Sequence, residues 1–273
     1  MVNEYLKPKT LDEALAALAA PGSVALAGGT WLLVGEEHGT RPDLGRAVDI
    51  GELVSAGIER KGATVRVGAG ATFQALADSR VLPACIRNAA LSMANRNTRN
   101  RATLGGNLGA DKSCASLVPI LLALDATVEY AVRGADGKAV TKTAPLADWL
   151  GRKEGLALAA SFDTAPGTLA ATSRASRTAC DVATATVGVA YRLEGGAVKA
   201  LKIAMGGFGP HARRMPKLEA LFEGKPLPSK AEIEKLAEPS LDAISDQRGS
   251  AAYKKRRGAV ILADALAGAE ALS

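Results

Sequence analysis

A chain of 273 residues is long enough for one large domain or two small ones, with a sizeable core. Hydrophobic residues at 48% and charged residues at 23% are the profile of a globular protein and exclude the disordered and fibrous classes. The balance of 34 Lys and Arg against 28 Asp and Glu leaves +6, which suits an anionic ligand but lacks the basic density and aromatic interleaving that nucleic-acid binding calls for.

In chain order, Leu11, Ala14, Leu15 and Leu18 recur at helical spacing, and Thr10 with Glu13 has the form of a capping box. Residues 10–20 therefore read as an amphipathic helix, stopped by Pro21 and Gly22. Residues 23–27 read as a short apolar strand entering a turn at Gly28, Gly29 and Thr30, after which Leu32, Leu33 and Val34 open a buried segment. Alternation of Val65 and Val67 with Arg66 marks a half-buried strand over 64–70, and the GAGAT turn leads into a short helix at 73–78. A second helix is expected over 83–93, ahead of the densest polar stretch, NRNTRNRATLGGN, from Asn95 to Asn107. An apolar helix at 115–124 is followed by a hairpin whose strands, 127–132 and 139–143, flank a turn between Gly134 and Gly137.

A Pro/Gly turn at 165–168 reads as a domain boundary. Beyond it, strands over 181–193 and 198–205 meet at Glu194, Gly195 and Gly196, a strong hairpin signal. Helices follow, one capped by Ser229 with Glu232 and one over 251–267. The back half is thus an α+β unit with an antiparallel sheet. The basic run from Lys254 to Arg257 reads as a solvated helix face or a subunit contact.

Elimination narrows the chemistry. Cys85, Cys114 and Cys180 lie far apart without CxxC spacing, which suits neither a disulfide framework nor an iron-sulfur or zinc site. The two histidines, His38 and His211, have no ligand at helical spacing. No GxSxG elbow and no GxxxxGK[ST] loop occurs, and GAGATF at Gly68 lacks the third glycine of a dinucleotide fingerprint. The apolar runs are shorter than the about 18 residues of a membrane span, and the amino-terminal stretch lacks a basic leader pattern, so a cytoplasmic protein is expected.

Two glycine pairs remain, in Ala27-Gly28-Gly29-Thr30 and in Thr103-Leu104-Gly105-Gly106-Asn107. Each can serve a turn that needs positive φ. Alternatively, the missing side chains let two loops approach one ligand and offer successive amide N–H groups and the Thr30 and Thr103 hydroxyls to a pyrophosphate.

The stretches VALAGGTWLLV, TRNRATLGGNLGADKSCASLVPILLALDATV, MGGFGPHARRMPKLEALFEGKPL and DQRGSAAYKKRRGAVILADAL, in this order, resemble the FAD-binding (medium) subunit of molybdenum hydroxylases, the family of xanthine dehydrogenase and carbon monoxide dehydrogenase flavoproteins. The resemblance spans nearly the whole chain. It implies an α+β, two-subdomain FAD-binding fold of the vanillyl-alcohol-oxidase type over 1–164, divided near 55, and a smaller α+β domain over 165–273. It implies FAD held by Leu26, Ala27, Gly28, Gly29, Thr30, Trp31 and Leu32, by Met93, Ala94 and Thr98, and by Ala102, Thr103, Gly105, Gly106, Asn107, Gly109 and Ser116. It further implies an electron-transfer subunit of a hetero-oligomeric oxidoreductase, whose partners are an iron-sulfur subunit and a molybdopterin-containing subunit, with NAD or another acceptor, and with no nucleic acid and no membrane span.

The chain departs from the family's pattern at three places. Ser116 stands where many relatives carry Asp, Ser173 stands where some carry Lys, with Arg174 of this chain beside it as a candidate substitute, and Trp31 stands where a small, polar or acidic residue is common. These departures keep open a cofactor-free scaffold that retains the fold. A stand-alone reductase of an enolpyruvyl sugar nucleotide is a further reading, which the carboxy-terminal match disfavours.

Overall fold

The computed structural model describes residues 2–34 and 45–272, in three sheets with helices packed against them. His38 lies outside the described residues. The first sheet is small and parallel, in the order β1 (Glu4–Leu6), β3 (Arg46–Asp49), β2 (Ser23–Leu26). Helix α1 (Leu11–Leu18) buries Ala14 and Leu15 against Val48 and Ile50. Thr10 Oγ1 accepts the Glu13 N–H at 3.2 Å, while the Glu13 carboxylate takes the Lys9 N–H at 2.7 Å, one residue earlier than in the expected capping box.

Beyond β2 the expectation of a buried segment fails. Leu33 and Val34 are 41% and 60% exposed, because the chain after Gly29 turns along the mouth of a cleft instead of entering a core.

The second sheet is antiparallel, in the order β4 (Ile58–Lys61), β5 (Thr64–Gly68), β8 (Leu156–Asp163), β6 (Thr127–Arg133), β7 (Ala139–Pro145). Strand β8, LALAASFD, escapes a period-two reading because it is buried on both faces. Its helices are α2 (Phe73–Asp78), α3 (Ala84–Leu91), α4 (Arg96–Arg99), α5 (Leu104–Ala110), α6 (Val118–Ala123) and α7 (Leu146–Arg152). Every residue of α6 is buried, as expected of an all-apolar helix.

The third sheet, also antiparallel, runs β12 (Arg213–Arg214), β11 (Ala197–Gly206), β10 (Ala185–Glu194), β9 (Leu169–Ala175), β13 (Glu270–Ala271). The β10–β11 turn carries φ of +58° at Gly195 and +83° at Gly196, the pair of left-handed residues that a two-residue hairpin turn of type I′ requires. Strand β10 starts at Ala185 rather than 181, since residues 181–183 line the cleft instead. Helices α8 (Pro216–Phe222), α9 (Lys230–Ala237) and α10 (Ala251–Ala267) cover the sheet, and the Ser229–Glu232 capping box of α9 is complete. No helix among the described residues is long and apolar enough to cross a membrane.

The basic run on α10 needs correction. Lys254 is fully buried, not solvated: its ammonium lies 2.8 Å from Asp246 Oδ2 and donates to the Gly207 carbonyl at 3.1 Å. Helical periodicity puts the first residue of the run on the inner face, where only a paired cation is tolerated. Arg248 also reaches Asp246 Oδ2, at 2.6 Å. Burial raises the Asp246 carboxyl's pKa, but hydrogen bonds from Arg248 and Lys254 outweigh it and hold the group well below the usual carboxylate range.

Asp246→Asn strands the Lys254 ammonium in the core and is expected to cost about 3 kcal/mol or more, measured by urea unfolding. In the wild type this contribution is complete above the unfolded carboxyl's value of about 3.9 and is lost as pH falls below it toward the depressed folded value. Equal acid sensitivity of variant and wild type between pH 5 and pH 2 would contradict this account.

Candidate functional site

A cleft of about 690 Å³ lies between the parallel sheet, the second sheet's helices and the edge of the third sheet, a size suited to a large organic ligand. Its walls include all seventeen residues singled out from the sequence: Leu26 to Leu32, Met93, Ala94, Thr98, Ala102, Thr103, Gly105, Gly106, Asn107, Gly109 and Ser116. The two glycine loops meet there. A Cβ on Gly28 would fall 1.8 Å from the Arg101 carbonyl oxygen, so only glycine lets the first loop seat against the second.

The second loop is the start of a helix. Thr103 caps α5, its Oγ1 accepting the Gly106 N–H at 3.1 Å. The Leu104 N–H bonds the Ala71 carbonyl at 2.9 Å and the Gly105 N–H bonds the Ala69 carbonyl at 2.8 Å. The GAGAT turn is thus the platform on which this loop sits. A Cβ on Gly105 would lie 2.9 Å from the Ala69 Cβ, which explains that glycine by packing. These bonds correct one expectation: the amides at the head of α5 are already occupied and are not available to a pyrophosphate.

Gly109 has no such explanation among the described residues, and Gly106 is crowded by a side-chain hydroxyl alone. A Cβ at Gly109 would meet nothing within 4 Å, and one at Gly106 only the Thr103 Oγ1 at 3.0 Å. Three residues apart, they share one face of α5 and leave it bare toward the cleft. Glycine costs a helix about 1 kcal/mol relative to alanine, and among the described residues nothing packed against Gly109 demands it.

Free amides lie in the first loop. Among the described residues, the backbone N–H groups of Gly28, Gly29 and Thr30 meet no acceptor, and Gly29 sits at φ +73°. Successive unpaired amides in such a turn form an anion-binding concavity. Asn107 turns its side-chain oxygen to the Leu117 N–H at 3.3 Å, fixing the segment that carries Ser116.

Arg99 shapes the Met93–Ala94 wall. Its guanidinium donates to the carbonyls of Met93 and Ala94 at 3.1 and 2.9 Å and to Gln74 Oε1 at 3.0 Å, holding Ala94 at φ +43°. The opposite wall belongs to the third sheet. Arg174 lines the cleft, whereas Ser173, its neighbour on β9, does not, in keeping with alternation along a strand. Among the described residues the Arg174 guanidinium bonds the carbonyls of Ser92, Ala179 and Asp181 and no carboxylate, and its Nε is buried without a partner. Burial pulls its pKa below the ordinary arginine value. Asp181 is engaged instead by Arg177, whose hydrogen bond lowers the carboxyl's pKa.

Sequence reasoning missed several cleft residues. Cys114 and Cys180, 66 positions apart, both line the cleft, as do Lys112 and Lys153, which with Arg174, already singled out beside Ser173, give it three cations against Asp181. Lys153 Nζ stands 3.3 Å from Asp111 Oδ2, and His211 Nδ1 stands 2.9 Å from the same oxygen. Asp111 is 3% exposed and ends α5 at φ +40°, so this trio joins the third-sheet unit to the helix. Only the short spacing of Asp111 and Lys112 from the second loop could have pointed to them.

Two family models divide the chain between them: FAD binding domain in molybdopterin dehydrogenase matches residues 1–161, and CO dehydrogenase flavoprotein C-terminal domain matches residues 170–269. YgfM of Escherichia coli strain K12, described as an uncharacterized protein, is 28% identical over 267 residues, covering 97% of this chain and 95% of its own. A carbon monoxide dehydrogenase from Hydrogenophaga pseudoflava, in a form lacking the Mo-pyranopterin moiety, has a chain that superposes with a TM-score of 0.86 at 27% identity, over 98% of this chain and 97% of that one. Quinoline 2-oxidoreductase from Pseudomonas putida 86 shares the fold, with a TM-score of 0.81 at 22% identity over 98% and 97% of the two chains. The cleft and both matched regions identify the chain as a member of the molybdopterin dehydrogenase FAD-binding family, an FAD-binding oxidoreductase component built on the α+β fold of the carbon monoxide dehydrogenase flavoprotein.

Proposed function

We propose that this chain seats its FAD in the 690 Å³ cleft and relays electrons through it within a larger molybdenum hydroxylase, from an iron-sulfur subunit to NAD or another acceptor. The observation that carries this reading is the bare glycine face of α5, where among the described residues a Cβ on Gly109 would meet nothing and one on Gly106 only the Thr103 hydroxyl, together with the amides of Gly28, Gly29 and Thr30, which meet no acceptor among those residues. The donor set suits the dinucleotide. Neutral amides and the Thr30 hydroxyl take the diphosphate, with Lys112 and Lys153 adding charge from the cleft wall. Ser23 Oγ and Arg174 Nε, both on cleft-lining residues, are buried and without partners among the described groups, and a polar ligand would satisfy them.

When bound, FAD supplies the redox chemistry, accepting electrons singly and releasing them in pairs. The chain's own residues bind and orient. Thr98, Met93 and Ala94 form the wall that Arg99 holds rigid, Ser116 offers a hydroxyl where many relatives carry a carboxylate, and Arg174 places a positive charge along the cleft. No acid–base pair is required of the protein. We also propose that residues 1–164 and 165–273 act as the two folding units, parted between β8 and β9, with the cytoplasm as their compartment.

Purified chain is expected to be yellow, with a flavin band near ~450 nm. Gly106→Val should retain the fold by circular dichroism and lose at least about nine-tenths of the bound flavin, because the branched side chain fills the ligand's space. Undiminished flavin in that variant would refute the cradle, and a colourless wild type unable to take up added FAD would favour the scaffold reading.

Expressed beside its neighbours, the chain should co-purify with an iron-sulfur protein and a molybdopterin protein. A stable, flavin-loaded chain that captures neither from its own cell extract would remove the hetero-oligomeric assignment.

A further inference from the structure

The Lys112 ammonium lies 5.2 Å from the centroid of the Trp31 ring, within range of a cation–π contact. Energetically significant cation–π pairs arise about once per 70–80 residues, so contact alone says little. Position is what distinguishes this one. Trp31 directly follows the free amides of Gly28, Gly29 and Thr30 at the end of the parallel sheet's β2, and Lys112 directly follows Asp111, the residue that ends α5. Both side chains belong to cleft-lining residues, one on each wall, so their contact bridges the opening between the two glycine loops.

Trp31 is 42% exposed and Lys112 is exposed, so neither is needed to fill a core. Asp111, by contrast, is buried and tied to Lys153 and His211, which anchors the backbone from which Lys112 projects. The lysine is therefore a mobile arm on a fixed base. Its ammonium faces an aromatic ring next to the amides that suit a diphosphate, and a cation can serve both partners, since the ring's face and the phosphate oxygens are each negative.

We propose that Trp31 and Lys112 form a clasp that retains the dinucleotide: Lys112 neutralises the diphosphate and Trp31 holds that ammonium in place across the cleft mouth. This rests on the cofactor reading above. It assigns a function to a tryptophan that otherwise only departs from the family's pattern. The clasp governs escape of the cofactor rather than its chemistry.

The test measures the rate of FAD release from the purified full-length chain by the recovery of free flavin fluorescence after dilution, with flavin-to-protein ratio as a second reading. Trp31→Ala is expected to speed release about threefold to fivefold, the worth of an exposed cation–π contact, and Lys112→Met somewhat more, since it also removes a phosphate partner. Lys112→Arg should restore slow release, because a guanidinium also sits on an indole face. The double variant Trp31→Ala/Lys112→Met should release no faster than Lys112→Met alone. Additive effects in the double variant, or release unchanged in either single variant, overturn the clasp and leave FAD binding standing. A wild-type chain that binds no FAD overturns both.

Discussion

The short helix α5 is the constraint on which the rest of the molecule depends. Its first turn is fastened to the second sheet by main-chain bonds to Ala69 and Ala71, and the residue that caps its end, Asp111, is gripped by Lys153 and His211. Just beyond it, Ser113 donates to the Gly209 carbonyl and accepts the Gly207 N–H, pinning the third-sheet unit to the same segment. A helix of seven residues with three glycines would not persist alone in water. Tertiary bonds at both ends hold it, and this frees its outer face from any structural duty.

The two glycine loops therefore have different roles, although their sequences look alike. Gly105 is needed where α5 lies against Ala69, and Gly28 where the first loop lies against Arg101. The amides of the second loop are consumed in building the fold, while those of Gly28, Gly29 and Thr30 in the first meet no acceptor among the described residues. One loop sets the shape of the slot and the other supplies its hydrogen bonds. The resemblance located both, but the division of labour depends on bonds between segments some 35 residues apart, which no local pattern records.

Much of the architecture was legible because it is locally determined. The Ser229–Glu232 cap, the Gly195–Gly196 turn and the helix over 251–267 are specified by residues within a few positions of one another. What stayed hidden needed long-range information. Strand β8 is buried on both faces and shows no alternation, and Lys254 reads as surface until Asp246 is seen beside it. Leu33 and Val34 read as core, yet both are exposed. The candidate site was legible in its glycines and its loop residues. Lys153 and Cys180 were not, since they reach the cleft only through the closing of the sheets.

The contact between Gly28 and the Arg101 carbonyl has a thermodynamic consequence. Because the two loops abut through glycine alone, the spacing between them is fixed by main chain and not by adjustable side chains. A slot whose width is set before its occupant arrives loses little conformational entropy on filling, so more of each hydrogen bond formed there appears as affinity. The molecule gains selectivity by the same route, since a rigid gap rejects a bulkier guest that a pliable one would accommodate.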